Sequence, residues 1–281
     1  MLRCVGQRLR SGAGAGNTPD GVCRRPTDNR GMSASLSPPF QPPDDDLVHA
    51  RPFVREDLDS QSLHFSDAAI QSRMVLRNPD ALALEYTRTM MGFLMFDPAP
   101  ARILMIGLGG GSMAKFCHRH LPHSRLTVVE INPHVIALRA RFKVPADSAR
   151  FCIKQDDGAR FVATTSTCFD VLMIDAFDAE RMPEALGTRR FYDDCADALQ
   201  PGGLLVANLH ASHPHVPVYI DRMSAALGGA AISVEDHDGG NRVVFVRRGG
   251  QLKPAQVVSP TAVHLQDAYS RIAHALRAQS E

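Results

Sequence analysis

Apolar and polar positions along the chain change their period several times, and each change marks an element. From Asp44 to about Leu76 the runs are short and alternating: Leu47–Val54, Ser62–Phe65 and Ile70–Leu76, separated by Asp, Ser and Gln clusters. That pattern predicts a small antiparallel β unit. Pro79 opens a helical stretch whose inner face is Leu82, Leu84, Tyr86, Met90, Phe93 and Leu94, and which closes at Asp97-Pro98. The chain then alternates strand and helix, with strands expected near 102–107, 125–130, 150–155, 169–174 and 202–208. Helices are expected between them and after the last, near 112–121, 133–142, 158–163, 183–199 and 214–227. Such alternation predicts an α/β fold whose mostly parallel sheet is linked by right-handed crossovers. Ala231–Glu235 and Arg242–Arg247 flank Asp238-Gly239-Gly240-Asn241, a hairpin that places one antiparallel strand at an end of the sheet. Val263, Leu265, Ala268, Tyr269, Ile272, Ala275 and Leu276 predict a closing amphipathic helix over 261–278.

Met1 to Pro43 lacks this patterning. It is rich in Gly, Ser, Pro and Arg, with six arginines against two acids, and reads as a disordered leader that carries no chemistry. An organelle transit peptide and a start of translation at Met32 are both compatible with it, whereas a secretory signal is not, because no apolar core of the required length is present. The remaining residues of the 281 are enough for one sizeable α/β domain plus a small accessory piece. A net charge of +1 gives no global electrostatic case for nucleic acid or an anionic membrane. No run reaches the roughly 18 apolar residues of a membrane span. The six cysteines show no C-x-x-C pair, and several fall inside apolar segments, which favours reduced core thiols in a cytoplasmic protein over a disulfide framework or a zinc site.

The candidate chemistry lies at the strand ends. Arg102–Ile106 runs into Gly107-Leu108-Gly109-Gly110-Gly111-Ser112, a strand, a tight turn and a helix start, the geometry that lets backbone N–H groups approach a nucleotide-like ligand. Glu130 follows 23 residues after Gly107 at the end of the second strand, where a Rossmann-type site places the acid that grips a ribose. The third strand ends in Asp156-Asp157-Gly158 and the fourth in Asp175, so four consecutive strand ends carry a glycine turn or a carboxylate. Asp157 also suits a helix N-cap ahead of Gly158. His210, His213 and His215 follow a strand with no Cys or acid to complete a metal set and read as a polar loop; His118, His120 and His123 read as solvated.

Through Ile106-Gly-Leu-Gly-Gly-Gly-Ser112, Val128-Val-Glu-Ile131, Asp156-Asp-Gly158, Phe169 to Asp178 and Leu199-Gln-Pro-Gly-Gly203, the chain resembles the spermidine synthases, aminopropyltransferases on the class I methyltransferase fold. The resemblance runs from about Gln71 to Arg247. It implies a Rossmann-like domain over 79–281 behind a small β unit over 44–78 and the leader over 1–43. It also implies a site for decarboxylated S-adenosylmethionine as co-substrate, with no permanently bound cofactor and no metal. In that site Gly107 and Gly109 form the nucleotide turn, Glu130 holds the ribose hydroxyls, and Asp157 with Gly158 meets the adenine. Asp175 matches the catalytic carboxylate and Asp178 its amine-binding partner. Tyr86 and Gln71 are placed at the small-molecule amine; the alternatives are a core tyrosine and a hairpin end. A homodimer formed through the N-terminal β unit and first helix is a further implication.

Three positions depart from the family pattern. Gly110 stands where members usually carry an Asp, Ala179 where a Pro is usual, and Leu82-Ala83-Leu84-Glu85 precedes Tyr86 where an acidic Asp-Glu pair is expected. The nucleoside half is therefore expected to be intact and the amine half altered. Aminopropyl transfer to a diamine such as putrescine, methyl transfer from S-adenosylmethionine, and binding without catalysis are the three functions consistent with this reading.

Overall fold

The computed structural model describes residues 49–67, 70–176, 183–257 and 263–280. The leader, and Asp178 with its neighbours, lie outside the described residues. Three short strands, β1 (Phe53–Glu56), β2 (Ser60–His64) and β3 (Ser72–Val75), form an antiparallel sheet in the order β1-β2-β3. The expected small β unit is thus present.

The large sheet contains β4 (Arg102–Ile106), β5 (Arg125–Glu130), β6 (Phe151–Gln155), β7 (Phe169–Ile174), β8 (Leu199–His210), β9 (Ile232–Glu235) and β10 (Asn241–Arg247) in the order β6-β5-β4-β7-β8-β10-β9. Strands β6 to β8 pair in parallel, and β10 pairs antiparallel with both β8 and β9. The central strands read as continuous apolar runs because both of their faces are covered. Along β4, Ile103 and Met105 join the apolar cluster on one face, while Leu104 and Ile106 join that on the other. The first face is covered by α1 (Glu85–Met90), the 3₁₀ turn Met91–Met95, α2 (Ser112–His120) and the closing helix, which bring in Met90, Phe93, Phe116 and Ile272. After β5 and β6 come α3 (Pro133–Ala137) and α4 (Gly158–Thr164), which bring Val135 to the first cluster and Val162 to the second. The second face is covered by α5 (Arg189–Ala198) and α6 (Val216–Leu227) through Phe191, Tyr192, Met223 and Leu227, and the chain closes with α7 (Gln266–Ser280).

Three expected helices differ in extent, each for a local reason. The helix expected from Pro79 starts only at Glu85, because the Asn78 carbonyl accepts from Ala81 N–H in a turn and the Arg88 guanidinium takes the Leu82 and Ala83 carbonyls. The helix expected over 133–142 stops at Ala137 and unwinds through turns to Lys143, whose φ is +56°, two residues before Pro145. The helix expected over 183–199 splits at Thr188, whose hydroxyl caps α5 by accepting from Phe191 N–H. Cys117 and Cys195 are buried free thiols and Cys152 is a half-buried one.

Candidate active site

Strand register assembles the site. Ile106 pairs with Val129 and with Ile174, so Gly107, Glu130 and Asp175 come to lie side by side, one residue past the paired positions. Ile174 pairs with Ala207, which puts Asn208 beside Asp175. In open α/β sheets this carboxyl edge is where ligands bind. A cavity of about 710 Å³ opens there. Its wall includes Gly107, Gly109, Glu130, Asp157, Gly158 and Asp175 from the large sheet, with Leu63, Phe65 and Gln71 from the small one and Tyr86 from α1. Every described residue that the sequence placed in the site therefore lines one cavity.

Gly107 has to be glycine. Its φ is +95°, and a Cβ there would sit 2.1 Å from the Asp175 carbonyl oxygen. The close approach of the two backbones holds the glycine turn against the end of β7.

Glu130 is only 8% exposed. Leu108 N–H donates to its Oε2 and Asn132 N–H to its Oε1, both at 2.8 Å. Burial raises its pKa, and the two N–H bonds oppose that. Each carboxylate oxygen keeps a second lone pair, so the two bonds orient the group without exhausting it. Asn132 also caps α3, accepting from His134 N–H at 2.9 Å, and donates to the Ala50 carbonyl at 2.8 Å. The Asp157 side chain does cap α4, accepting from Arg160 N–H at 2.8 Å, while the residue lines the cavity.

Asp175 is half-buried and hydrogen-bonded from two sides. Asn208 Nδ2 donates to Oδ1 at 3.1 Å, and Tyr86 Oη donates to Oδ2 at 3.3 Å. Burial pushes the Asp175 pKa up to about 6, the two donors holding it back from rising further. Burial and the adjoining Asp175 charge raise the Tyr86 phenol well above its ordinary value, so it stays a donor. Tyr86 packs partly against the apolar core as well as touching Asp175, which joins the two roles that the sequence left open.

The missing acid at position 110 has a steric cause. A Cβ on Gly110 would lie 2.6 Å from Ser72 Oγ and 2.9 Å from Phe142 Cδ1, because β3 packs directly on the glycine turn. Two residues that the sequence reading passed over belong to the site. Asn208 is a buried polar residue inside the apolar run Leu204–Leu209, a signal that was available; its Oδ1 has no partner among the described residues. Asp236, in the hairpin after β9, also lines the cavity. Of the histidines, His210 lines the cavity, whereas His213 stacks on Tyr219 at 5.7 Å and the His118 ring meets Phe151 edge-on at 5.6 Å. His118 and His120, the second packing on Phe116, are half-buried rather than solvated.

The family model of the spermine/spermidine synthase domain matches residues 83–229. The chain belongs to this family. A polyamine aminopropyltransferase of Chromobacterium violaceum is 38% identical over 204 residues, which cover 72% of this chain and 78% of that protein. Among solved structures, a probable spermidine synthase from Corynebacterium glutamicum superposes with a TM-score of 0.63 at 24% identity, covering 77% of this chain and 82% of that one. A spermidine synthase in complex with the transition-state analogue AdoDATO superposes with a TM-score of 0.53 at 20% identity, covering 76% and 78%. These superpositions establish the class I methyltransferase-like fold that the family uses.

Proposed function

We propose that the protein transfers an aminopropyl group from decarboxylated S-adenosylmethionine to a small amine, a diamine such as putrescine. The observation that carries this reading is the Asp175 carboxylate, held by Tyr86 and Asn208 beside the glycine turn in a cavity with a buried ribose-type acid. In this reading Gly107 and Gly109 admit the nucleoside, Glu130 accepts from the ribose diol, and Asp157 and Gly158 border the adenine. Gln71 and Tyr86 close the amine side, and Asp178 serves as an amine-binding acid. Charge-assisted bonds of the Glu130 kind are worth roughly 1.5–3 kcal/mol each.

The chemistry required of Asp175 is modest. An aliphatic ammonium with a lysine-like pKa is neutral only about 0.04% of the time at pH 7, so presenting its lone pair costs roughly 4.6 kcal/mol. Asp175, ionised above its pKa of about 6, accepts an N–H of the amine and takes up the proton. The unpartnered Asn208 Oδ1 offers a second acceptor for the same nitrogen. The lone pair then attacks the methylene next to the sulfonium; the new C–N bond forms as the C–S bond breaks, and the pair stays on sulfur in methylthioadenosine. The reading includes a homodimer through the small sheet and α1, and a cytoplasmic location. No helix among the described residues is long and apolar enough to cross a membrane.

Product identification by mass tests the proposal. Decarboxylated S-adenosylmethionine with a diamine is expected to yield methylthioadenosine and an aminopropylated amine. Asp175→Asn should lower kcat by at least 100-fold with little change in methylthioadenosine affinity. S-adenosylhomocysteine formed from S-adenosylmethionine would replace this reading with methyl transfer.

A further inference from the structure

The acid expected near the amine at position 110 is absent and Glu85 alone stands ahead of Tyr86, already paired, yet the cavity contains a further carboxylate from another element. Asp236 sits at the hairpin end of β9, is 7% exposed, and lines the cavity. Its Oδ2 accepts from Asn241 Nδ2 at 3.2 Å, and its Oδ1, also buried, has no hydrogen-bond partner among the described residues. A buried acceptor without a donor carries an unrelieved desolvation cost, larger when it is charged.

The neighbouring Glu85 charge is already matched, whereas the Asp236 charge is not. Glu85 Oε1 is held by Arg271 Nη1 at 3.0 Å and by His237 Nδ1 at 2.7 Å, and Arg271 also pairs with Asp267. Those contacts occupy the Glu85, His237 and Asp267 cluster. Arg271 contributes only a through-space attraction to Asp236, outweighed by burial and the Glu85 charge, and the acid is raised to about 6. A cation delivered to Oδ1 would relieve both the burial and the repulsion.

Its place in the sheet gives the spacing. Asp175 ends β7, Asn208 lies on β8, Asn241 opens β10 and Asp236 follows β9, strands that are consecutive neighbours. At the backbone the two acids are thus three strand spacings of about 4.8 Å apart across the sheet, with Asp236 two residues beyond the level of Asp175 toward the carboxyl edge. Tyr86 lies between them, bonded to Asp175 and raised by the Asp236 charge.

We propose that Asp236 binds the second, non-reacting ammonium of a two-headed amine whose first nitrogen is held at Asp175, so that the β9–β10 hairpin selects diamines over monoamines. The inference rests on the reading of the cavity as an amine-acceptor site, and it can be tested without turnover.

Calorimetry on the full chain saturated with methylthioadenosine compares 1,4-diaminobutane with n-butylamine. The wild type is expected to bind the diamine at least 10-fold more tightly. In Asp236→Asn that preference should fall to under threefold, through loss of diamine affinity, with methylthioadenosine binding kept as evidence of folding. Asp236→Glu, whose carboxylate reaches further into the cavity, should recover the preference but shift it toward 1,3-diaminopropane. No diamine preference in the wild type, or an undiminished one in a folded Asp236→Asn variant, overturns the proposal. If the Asn variant does not fold, an unshifted chain-length optimum in Asp236→Glu overturns it instead. A diamine preference that depends on Asp236 in a protein forming no aminopropylated product would refute the transfer reading and leave this assignment standing.

Discussion

Asp175 illustrates how one residue couples stability to chemistry. Its folded pKa of about 6 lies above the roughly 3.9 of an unfolded aspartate. The folded state therefore holds the proton more tightly, and the stabilisation is complete below about pH 4 and lost as the pH rises through about 6. At pH 8 the folded protein carries the cost of a half-buried charge, up to about 3 kcal/mol for a two-unit shift. Asp175→Asn is accordingly expected to be more stable than the wild type at pH 8 and equal to it below pH 4, as measured by urea denaturation across that range. The wild-type kcat/KM should rise with pH along an acid limb near 6. An Asn variant less stable at pH 8 would show that the bonds from Tyr86 and Asn208 outweigh the desolvation of the carboxylate.

At the scale of elements, the glycine turn and β3 constrain each other. The Ser72 side chain fills the space that a side chain at 110 would need, with Phe142 closing the other side. Gly110→Asp, the residue usual in the family, is therefore expected to destabilise the fold by about 1–3 kcal/mol, as overpacking does, without improving amine binding. Chemical denaturation and amine titration check the two halves of that expectation. The strands and the strand-end acids were legible because buried parallel strands leave continuous apolar runs and their carboxyl ends fall at fixed spacings, as Gly107, Glu130 and Asp175 do. The helix from Pro79 was overextended because apolar periodicity does not register that Arg88 draws the Leu82 and Ala83 carbonyls out of helical bonding. Asp236 was not legible as a site residue: an Asp next to a Gly-Gly hairpin reads as turn chemistry, and only the pairing of β10 with β8 brings it to the cavity.

For the whole molecule, the cavity wall is shared by two sheets that touch through few polar contacts. Gln61 Nε2 donates to the Arg141 carbonyl at 2.8 Å, Ser112 Oγ to the Arg73 carbonyl at 3.4 Å, and Asn132 Nδ2 to Ala50. A ligand that spans the cavity should therefore tie the small sheet to the large one. At 100 times its Kd a ligand adds about 2.7 kcal/mol to global stability, and its local effect can be read by hydrogen exchange. Methylthioadenosine is expected to slow exchange at Gly107 N–H, which bonds Val129, and at Asp175 N–H, which bonds Ile106. Adding a diamine should extend that protection to Gln71 N–H, bonded to Leu63 in the small sheet, and to Asp236 N–H, bonded to Asn241 in the hairpin. Protection confined to the large-sheet turn with both ligands bound would mean that the small sheet borders the site without closing on its occupant.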